Sequence, residues 1–380
     1  MDRVQVISDA SEFMALEGEW NALADRFPTP LLRHEWFAAC LDAFGAGCDL
    51  AVYVVRGDGR LRAAAPFVID RGAPVRRLVL LGHQTFECNA ILHDDDAALA
   101  ALVNAVRESR LPAVVPRLAS DSPELACFCA GSGRGLGIVQ PRPSDPTSST
   151  PLATDWPSFE ARMTNQNRTS IRHRRNAAGR EGPVGFDAVA PAEGEVERHL
   201  AELIRVEGAG WKGRQGTSLD KDARMRRFCT DYAFAAARRG MLRMFFLRIG
   251  EATAAARMAV EYGGRLWDMK IGYDERFAKC SPGILLTHET LRYACERGLT
   301  AHEYLGAAEP WQRCWPLDLR PHTNVRLYSL SIAGCAALCE DVGRLAARRL
   351  LVPVRSGLRR LNGGGAGKAL GGRPAGTSAP

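Results

Sequence analysis

One stretch of this 380-residue chain, residues 265–315, constrains its fold more than any other. It begins with an apolar segment suited to a β-strand and passes through residues 281–283 into a segment of helical period. It ends in a second apolar segment, at Leu305 and Gly306. Proline fits the first position of a helix because its φ is fixed near the helical value. The stretch therefore predicts strand, loop, helix and strand, with a right-handed crossover that makes the two strands parallel neighbours.

The predicted start of this helix has the chemistry of a phosphate site. Ser281 is predicted to be the N-cap, which leaves free backbone N–H groups and the positive end of the helix dipole at one place. Backbone donors arranged in this way bind phosphate or pyrophosphate. The residues predicted to bind such a ligand are Lys279, Ser281, Pro282, Gly283 and Ile284.

The segments before this loop predict a β-meander. Three apolar segments, at residues 241–249, 253–262 and 265–273, are separated by Gly250-Glu251 and by Gly263-Gly264. Both pairs suit two-residue hairpin turns. Further strands are predicted at 50–56, 60–69 and 77–81, and helices at 97–109, 156–180, 195–207, 222–239 and 282–297.

Length and composition predict how the chain is divided. A chain of 380 residues is expected to form two domains. Residues 142–152 are rich in Pro, Ser and Thr, which predicts a linker between domains. The predicted units are a first domain at 1–150, a second at 151–330, basic helices at 331–361 and a disordered tail at 362–380.

Charge, cysteine spacing and hydropathy limit which cellular compartment and which partners are expected. The first residues are charged and lack a long apolar run, and no segment approaches the roughly 20 apolar residues of a membrane span. A cytoplasmic protein is expected. The basic helices after residue 342 either rest on an anionic membrane surface, on the inner face of the membrane, or dock on the protein itself. The eleven cysteines lack zinc-ligand spacing, so reduced thiols and no metal are expected.

The motifs themselves resemble a known family. SPGILL at 281–286, EYLG at 303–306 and EPWQ at 309–312 are similar to the pattern of GNAT acetyltransferases associated with cellulose and exopolysaccharide biosynthesis. RTSIRHRR at 168–175 resembles a basic segment of that group and of the related Fem-type aminoacyl transferases, and EWNAL at 19–23 resembles its N-terminal half. The resemblance covers about residues 10–330. It implies an α/β (α+β) fold of two tandem GNAT-like domains, each a mixed, mostly antiparallel sheet flanked by helices, with the first domain degenerate.

The resemblance also implies an acyl-CoA thioester, with acetyl-CoA expected, as co-substrate and suggests catalytic roles. Glu303 stands at the family's acidic position and is the expected general base, with a strand-end salt bridge as the alternative. Tyr273 is the expected acid for the leaving thiolate, with plain packing as the alternative. Asp268 and Lys270 are predicted to share one face of their strand, either as a surface ion pair or as part of the acceptor site.

Six residues are predicted to contact the acceptor or its charge. Trp211 lies in a Gly-rich turn that resembles the family's substrate-side loop, and Trp311-Gln312 replaces the family's Tyr-Lys. The arginines of residues 162–180 either grip an anionic substrate, contact nucleic acid or are merely solvated. The predicted substrate-binding residues are Arg168, Arg172, Trp211, Lys270, Trp311 and Gln312.

These features predict an acyl-CoA-dependent transferase that acylates an amine of a sugar, a polysaccharide precursor or a small metabolite. Two rivals remain. One is a Fem-type transferase that uses aminoacyl-tRNA, motivated by the basic segment and the two-domain plan. The other is a non-catalytic scaffold of polysaccharide synthesis, motivated by the absence of the family's lysine at Gln312.

Overall fold

The first half of the chain forms a sheet covered by helices on both faces. The computed structural model describes residues 3–85, 87–130 and 137–361, without the side chains of residues 212 and 348–361. The elements of this half are β1 (Arg3–Ile7), α1 (Ala10–Ala15), α2 (Glu17–Ala24), α3 (His34–Phe44), β2 (Cys48–Gly57), β3 (Arg60–Asp70), β4 (Leu78–Leu80), β5 (Leu92–His93), α4 (Asp96–Glu108), β6 (Ala113–Ala119) and α5 (Pro123–Ala130).

The second half contains the predicted meander and crossover helix. Its elements are β7 (Gly137–Pro151), α6 (Trp156–Ala161), α7 (Asn165–Glu181), β8 (Val184–Val189), α8 (Val196–Gly208), α9 (Trp211–Gln215), α10 (Ala223–Arg238), β9 (Leu242–Ile249), β10 (Ala252–Tyr262), β11 (Arg265–Tyr273), α11 (Pro282–Glu296), β12 (Ala301–Glu303), β13 (Asp318–Ser329) and α12 (Ile332–Leu361). Short 3₁₀ helices include Glu275–Cys280, before α11, and Pro310–Cys314, after β12.

All thirteen strands of the described residues belong to one sheet. Its order is β1-β2-β3-β4-β6-β13-β7-β12-β11-β10-β9-β8, with β5 paired to β3. Most pairs are antiparallel, whereas β4–β6 and β11–β12 are parallel. This mixed, helix-flanked sheet confirms the predicted fold class. The late strand β13 lies between β6 and β7, so hydrogen bonds join the two halves. The domain boundary at residue 150 stays a prediction.

The segment predicted to be a linker is a strand. Residues 142–151 belong to β7, which pairs with β13 along most of its length and with β12 only over residues 149–151. For residues 137–148, one edge of β7 therefore has no strand partner among the residues that the structure describes. Prolines are tolerated where the partner does not need their missing N–H. Composition alone predicts a linker here because the pairing partner lies more than 160 residues later in the chain.

The helix predicted at 156–180 is divided in two. Thr164 stands between α6 and α7 with an extended backbone, and its hydroxyl accepts a hydrogen bond from the N–H of Asn167 at 3.1 Å. A side chain that caps a helix in this way starts a new helix at that point. The arginine-rich segment is therefore mostly α7, and it packs with Ile171 and Ala178 buried.

The cores of the two halves also meet. α3 of the first half packs on α10 of the second, where the ring of Trp36 lies 4.9 Å from Phe228 and 5.0 Å from Tyr232, both edge-on. These residues belong to one apolar cluster that continues across both halves. Burial of aromatic rings contributes more per residue than any other side chain type, so this contact is a main stabiliser of the arrangement.

α12 is anchored at its start. Asp341 accepts a hydrogen bond from the Tyr328 hydroxyl at 2.7 Å and pairs with Arg77 at 3.3 Å, and residues 342–347 that follow are exposed. Among the described residues, no helix combines the length and apolar character needed to cross a membrane. Contact of the basic helices with an anionic membrane stays a prediction, and the predicted tail at 362–380 lies outside the described residues.

Candidate functional site

A cavity of about 560 Å³ opens where β11 and β12 diverge. The two strands are parallel and pair only over Arg265–Trp267 and residues 301–303. Beyond Trp267, this edge of β11 has no strand partner within the described part of the chain. Backbone groups of β11 that no neighbouring strand pairs with thus face a cleft between two strands, which is a position where a ligand can extend the hydrogen bonding of the sheet.

The start of α11 forms one wall of the cavity. Four of the five residues predicted to bind the phosphate ligand, Ser281, Pro282, Gly283 and Ile284, line it, whereas the exposed Lys279 does not. Proline has no N–H, and the N–H of Gly283 has no protein acceptor among the described residues. Because the positive end of the helix dipole lies at the same place, this wall can bind an anion.

Ser281 does not act as the predicted side-chain cap. It occupies the N-cap position, but its φ of 49° and ψ of 59° are left-handed, and its side chain makes no capping hydrogen bond. A capping hydroxyl needs an extended backbone to reach the N–H groups of the first turn. Instead its carbonyl accepts from the N–H of Ile284 at 3.0 Å. A left-handed conformation in a residue other than glycine is costly and is found most often at functional sites.

Two glycines bring the opposite wall close to β11. A Cβ on Gly272 would lie 2.6 Å from the Cα of Glu207, and one on Gly210 would lie 2.7 Å from the carbonyl oxygen of Tyr273. Only glycine permits such contacts. As a result the end of α8 presses onto β11, and Glu207 and Trp211 line the cavity together with Tyr273.

Glu207 is a buried carboxylate on this wall that the sequence analysis missed. Its side chain is fully buried, one oxygen accepts from the N–H of Leu219 at 2.9 Å, and the other lies 3.6 Å from the ammonium of Lys270. A sequence signal for it exists, because it follows Leu200 by seven residues and Leu203 by four on the apolar face of α8. A carboxylate on an apolar face needs a partner, and here Lys270 is one.

Asp268 and Lys270 do not share a face. A β-bulge at Met269 reverses the alternation, because Lys270 pairs with Met258 and Asp268 with the next residue, Ala259. Asp268 is consequently buried 3.4 Å from Arg257 and 2.9 Å from a His302 nitrogen, without lining the cavity. These two ring and carboxylate atoms are close, but their geometry is not that of a hydrogen bond.

Glu303 is also absent from the cavity lining. Its carboxylate pairs with the guanidinium of Arg265, in line with the salt bridge that was its alternative reading. The catalytic roles predicted for Glu303, Asp268 and Tyr273 remain predictions, but only Tyr273 lines the cavity.

The roof of the cavity is the 3₁₀ helix Pro310–Cys314. Gln312 is 2% exposed, and its side-chain oxygen accepts from the Ser148 hydroxyl and from the N–H of Glu309, both at 2.7 Å. Trp311 packs edge-on against Tyr304, with ring centroids 5.6 Å apart. Both Trp311 and Gln312 line the cavity. Gln312 therefore fastens the roof to β7.

The floor is a strained turn held by the first half of the chain. Leu305 and Gly306, with φ of 53° and 59°, both have left-handed backbones, which for a residue other than glycine costs roughly 1–2 kcal/mol. The N–H of Gly306 donates to Glu87 at 2.8 Å, and its carbonyl accepts from Arg117 at 2.6 Å. Burial raises the pKa of Glu87 to about 7. No local sequence signal marks Glu87 or Arg117.

The arginines of α7 lie beside the cavity and do not line it. α7 packs against Glu275–Cys280. Arg168 donates to the carbonyl of Glu160 at 3.0 Å, and Arg172 is exposed. Burial raises the pKa of the Cys280 thiol and of the Cys314 thiol. The charge of Arg180 opposes this rise at Cys280, and the charge of Arg174 opposes it at Cys314. The helix thus adds positive charge around the site.

Cysteines and acidic residues give no metal site in the described residues. No three His, Cys, Asp or Glu side chains there cluster in a way that could hold a metal ion. The eleven cysteines all fall within the described ranges, and none of them forms a disulfide bond.

Solved structures share this fold, and a family model matches part of this sequence. Residues 165–313 match the family model described as acetyltransferase (GNAT) domain, and this range contains every residue that lines the cavity. No curated protein matches the sequence. Among solved structures, FemX has a TM-score of 0.59 at 12% identity, covering 86% of this chain and 97% of FemX.

Two further structures cover nearly the whole chain. L-PGS from Bacillus licheniformis has a TM-score of 0.53 at 13% identity, covering 84% of this chain and 91% of that one. The C-terminal domain of a protein provisionally named lysylphosphatidylglycerol synthetase, from Agrobacterium fabrum, has the same score and identity, covering 88% and 97%. At these identities the likeness concerns the fold, which is that of GNAT-type acyltransferases.

Proposed function

We propose that this protein transfers an acyl group, with acetyl as the expected one, from a coenzyme A thioester to an amine. The observation that carries the proposal is the cavity between the diverging strands β11 and β12, with the start of α11 in its wall, inside the range that matches the GNAT domain. The acceptor is an amine of a sugar, a polysaccharide precursor or a small metabolite. A role in cellulose or exopolysaccharide synthesis is part of this proposal.

The donor is proposed to bind along the α11 side. The pyrophosphate of coenzyme A accepts a hydrogen bond from the Gly283 N–H at the start of α11, and the exposed Lys279 adds charge near it. The pantetheine arm then enters the cavity between the strands. A backbone N–H on the edge of β11 that has no strand partner polarises the thioester carbonyl, as oxyanion-type donors do in acyl transfer.

The acceptor is proposed to approach from the α8 side, past Trp211. The amine attacks the thioester carbon, and we assign its proton to Glu207 rather than to Glu303 or Asp268, because of the three only Glu207 lines the cavity. The C–S bond breaks, and the Tyr273 hydroxyl protonates the leaving thiolate. Lys270 balances the charge of Glu207 from 3.6 Å.

Calorimetry with acetyl-CoA tests the donor site. Wild type is expected to bind in the micromolar range usual for substrates. Gly283→Trp fills the wall and is expected to abolish binding. Gly283→Ala is the matched control, because its Cβ would lie in ordinary contact, 3.7 Å from a Tyr273 ring carbon, and is expected to bind like wild type. Absence of binding to wild type would contradict the proposal.

A second candidate is transfer from an aminoacyl-tRNA. The exposed arginines of α7 beside the cavity favour it, as does the resemblance of this segment to Fem-type transferases. This reading predicts tRNA binding whose affinity falls steeply with salt and is weakened by Arg172→Ala with Arg180→Ala. If wild type binds acetyl-CoA and no tRNA, the second candidate is excluded.

A further inference from the structure

One residue of the cavity floor is held on both sides of its Cα by the first half of the chain. Gly306 lines the cavity, and its N–H and carbonyl are bound by the carboxylate of Glu87 and the guanidinium of Arg117. The two side chains carry opposite charges, and each meets the backbone group that it can bind: the carboxylate accepts and the guanidinium donates. Such bonds to charged groups are stronger than those between neutral groups.

Glu87 and Arg117 bind the floor at its strained turn. The backbone on either side is fastened to β7, since Tyr304 N–H donates to the Ser148 carbonyl at 3.1 Å and Ala308 N–H to the Pro146 carbonyl at 3.0 Å. Between these fastenings, Leu305 and Gly306 form the left-handed turn. Strained backbone persists only where its surroundings hold it.

A β-bulge in β6 sets the direction of the Arg117 side chain. Two residues of β6, Pro116 and Arg117, stand opposite the single residue Asn324 of β13, and Arg117 has a φ of 52°. Its N–H donates to the Asn324 side chain at 2.9 Å. Bulges re-aim side chains near active sites. The bulge therefore turns this guanidinium towards the second half.

We propose that Glu87 and Arg117 are positioning residues: by holding the backbone N–H and carbonyl of Gly306, the first half of the chain fixes the floor on which the acyl-bearing arm of the donor lies. This inference rests on the proposed function. It assigns to the first half a role in binding the thioester end of the donor, which is separate from the phosphate end at α11.

The hold depends on the charge of Glu87. Burial raises its pKa to about 7, while the bond from Gly306 and the charges of Arg117 and Lys270 act in the opposite direction. Other titratable groups near Glu87 or Arg117 include Cys88, Glu303, Arg320 and His322. Ionised Glu87 accepts a stronger hydrogen bond than the protonated acid. The hold on Gly306 therefore tightens as pH rises through about 7.

Two ligands distinguish binding of the phosphate end of the donor from binding of its thioester end. ADP carries a pyrophosphate and no pantetheine arm, whereas acetyl-CoA carries both. Glu87→Ala and Arg117→Met are expected to bind ADP like wild type and acetyl-CoA about tenfold more weakly, the loss of a hydrogen bond to a charged group. Amide hydrogen exchange of residues 304–307 is expected to speed up in both variants.

Conservative variants distinguish a role of Glu87 in holding Gly306 from a role in folding. Glu87→Gln keeps an acceptor for the Gly306 N–H, so it is expected to restore most of the acetyl-CoA affinity. The affinity of wild type for acetyl-CoA, relative to ADP, rises as pH passes about 7, and that of Glu87→Gln does not. Glu124→Gln is the matched control, because Glu124 is a buried carboxylate of the first half that accepts from Ile91 N–H and does not line the cavity.

The outcomes are separable from those of the proposed function. If wild type binds neither ligand, the donor site itself is wrong. If wild type binds both and Glu87→Ala and Arg117→Met show unchanged affinities and unchanged exchange at 304–307, the positioning role is overturned. Equal weakening of ADP and acetyl-CoA would also overturn it, since that result indicates a general loss of structure.

Discussion

At the scale of single residues, the acceptor side of the cavity is defined by Glu207. Helical spacing alone places this residue on the apolar face of α8, so the sequence could have predicted its burial. The sequence could not have predicted its proximity to Lys270, because that follows from a bulge in β11. Glu87 and Arg117 carry no local signal at all, since their partner, Gly306, lies about 190 residues or more along the chain.

Glu207→Gln tests the proton acceptor. The amide keeps the shape and the bond from Leu219 N–H but cannot take a proton. Acyl transfer to the best acceptor of an amino-sugar panel is expected to slow about 100-fold or more, with the Kd for acetyl-CoA unchanged. Glu202→Gln, on the outer side of the same helix and paired with Arg205, is expected to keep full activity. Wild-type rates in Glu207→Gln would remove Glu207 from the mechanism.

Glu87 also makes stability depend on pH. Its folded pKa of about 7 is above its ordinary value of 4.5, so its contribution to stability is complete below pH 4.5 and is lost as pH rises through 7. The free energy of unfolding of wild type, relative to Glu87→Gln, is expected to fall by about 3 kcal/mol over this window. Urea unfolding of both proteins between pH 4 and 8 measures it. Parallel curves would show that Glu87 ionises normally.

At the scale of elements, local patterns predict the second half well. Each strand of the meander and the helix α11 form where alternation, helical period and glycine turns place them, because short-range geometry decides these elements. β7 and β13 were not predicted. Their sequences carry proline and charge, and they become strands only because each supplies the other's hydrogen bonds in the middle of the sheet.

A substitution that adds one methyl group tests the close packing of α8 on β11. A Cβ on Gly272 would meet the Glu207 backbone at 2.6 Å, so Gly272→Ala is expected to lower the free energy of unfolding by about 1–3 kcal/mol and to weaken acetyl-CoA binding. Gly185→Ala in β8 is the control, because its Cβ would lie 3.8 Å from Arg248 Cβ and is expected to be tolerated. Equal stability of the two variants would mean that α8 is not pressed onto β11.

At the scale of the whole molecule, the two halves share one sheet. β13 comes from the end of the second half and lies between β6 and β7. Length and a Pro-rich segment suggested two domains, and they could not reveal this exchange, because strand order is set by long-range pairing. A fragment of residues 151–380 loses both neighbours of β13 and exposes strand edges that favour aggregation.

Fragments 1–150 and 151–380 are therefore expected to be insoluble or unfolded when each is produced alone, and to form a folded complex when they are produced together. Circular dichroism and size-exclusion chromatography measure this. A monomeric 151–380 fragment with cooperative unfolding would instead establish two independent domains and would leave the grip on Gly306 without a structural role.

The most direct test of the central claim is a crystal structure of the protein with acetyl-CoA. We expect the pyrophosphate at the N–H of Gly283, and the thioester between the edge of β11 that lacks a strand partner and the turn at Leu305 and Gly306. Coenzyme A bound elsewhere, for example on the arginines of α7 with the cavity unfilled, would contradict it.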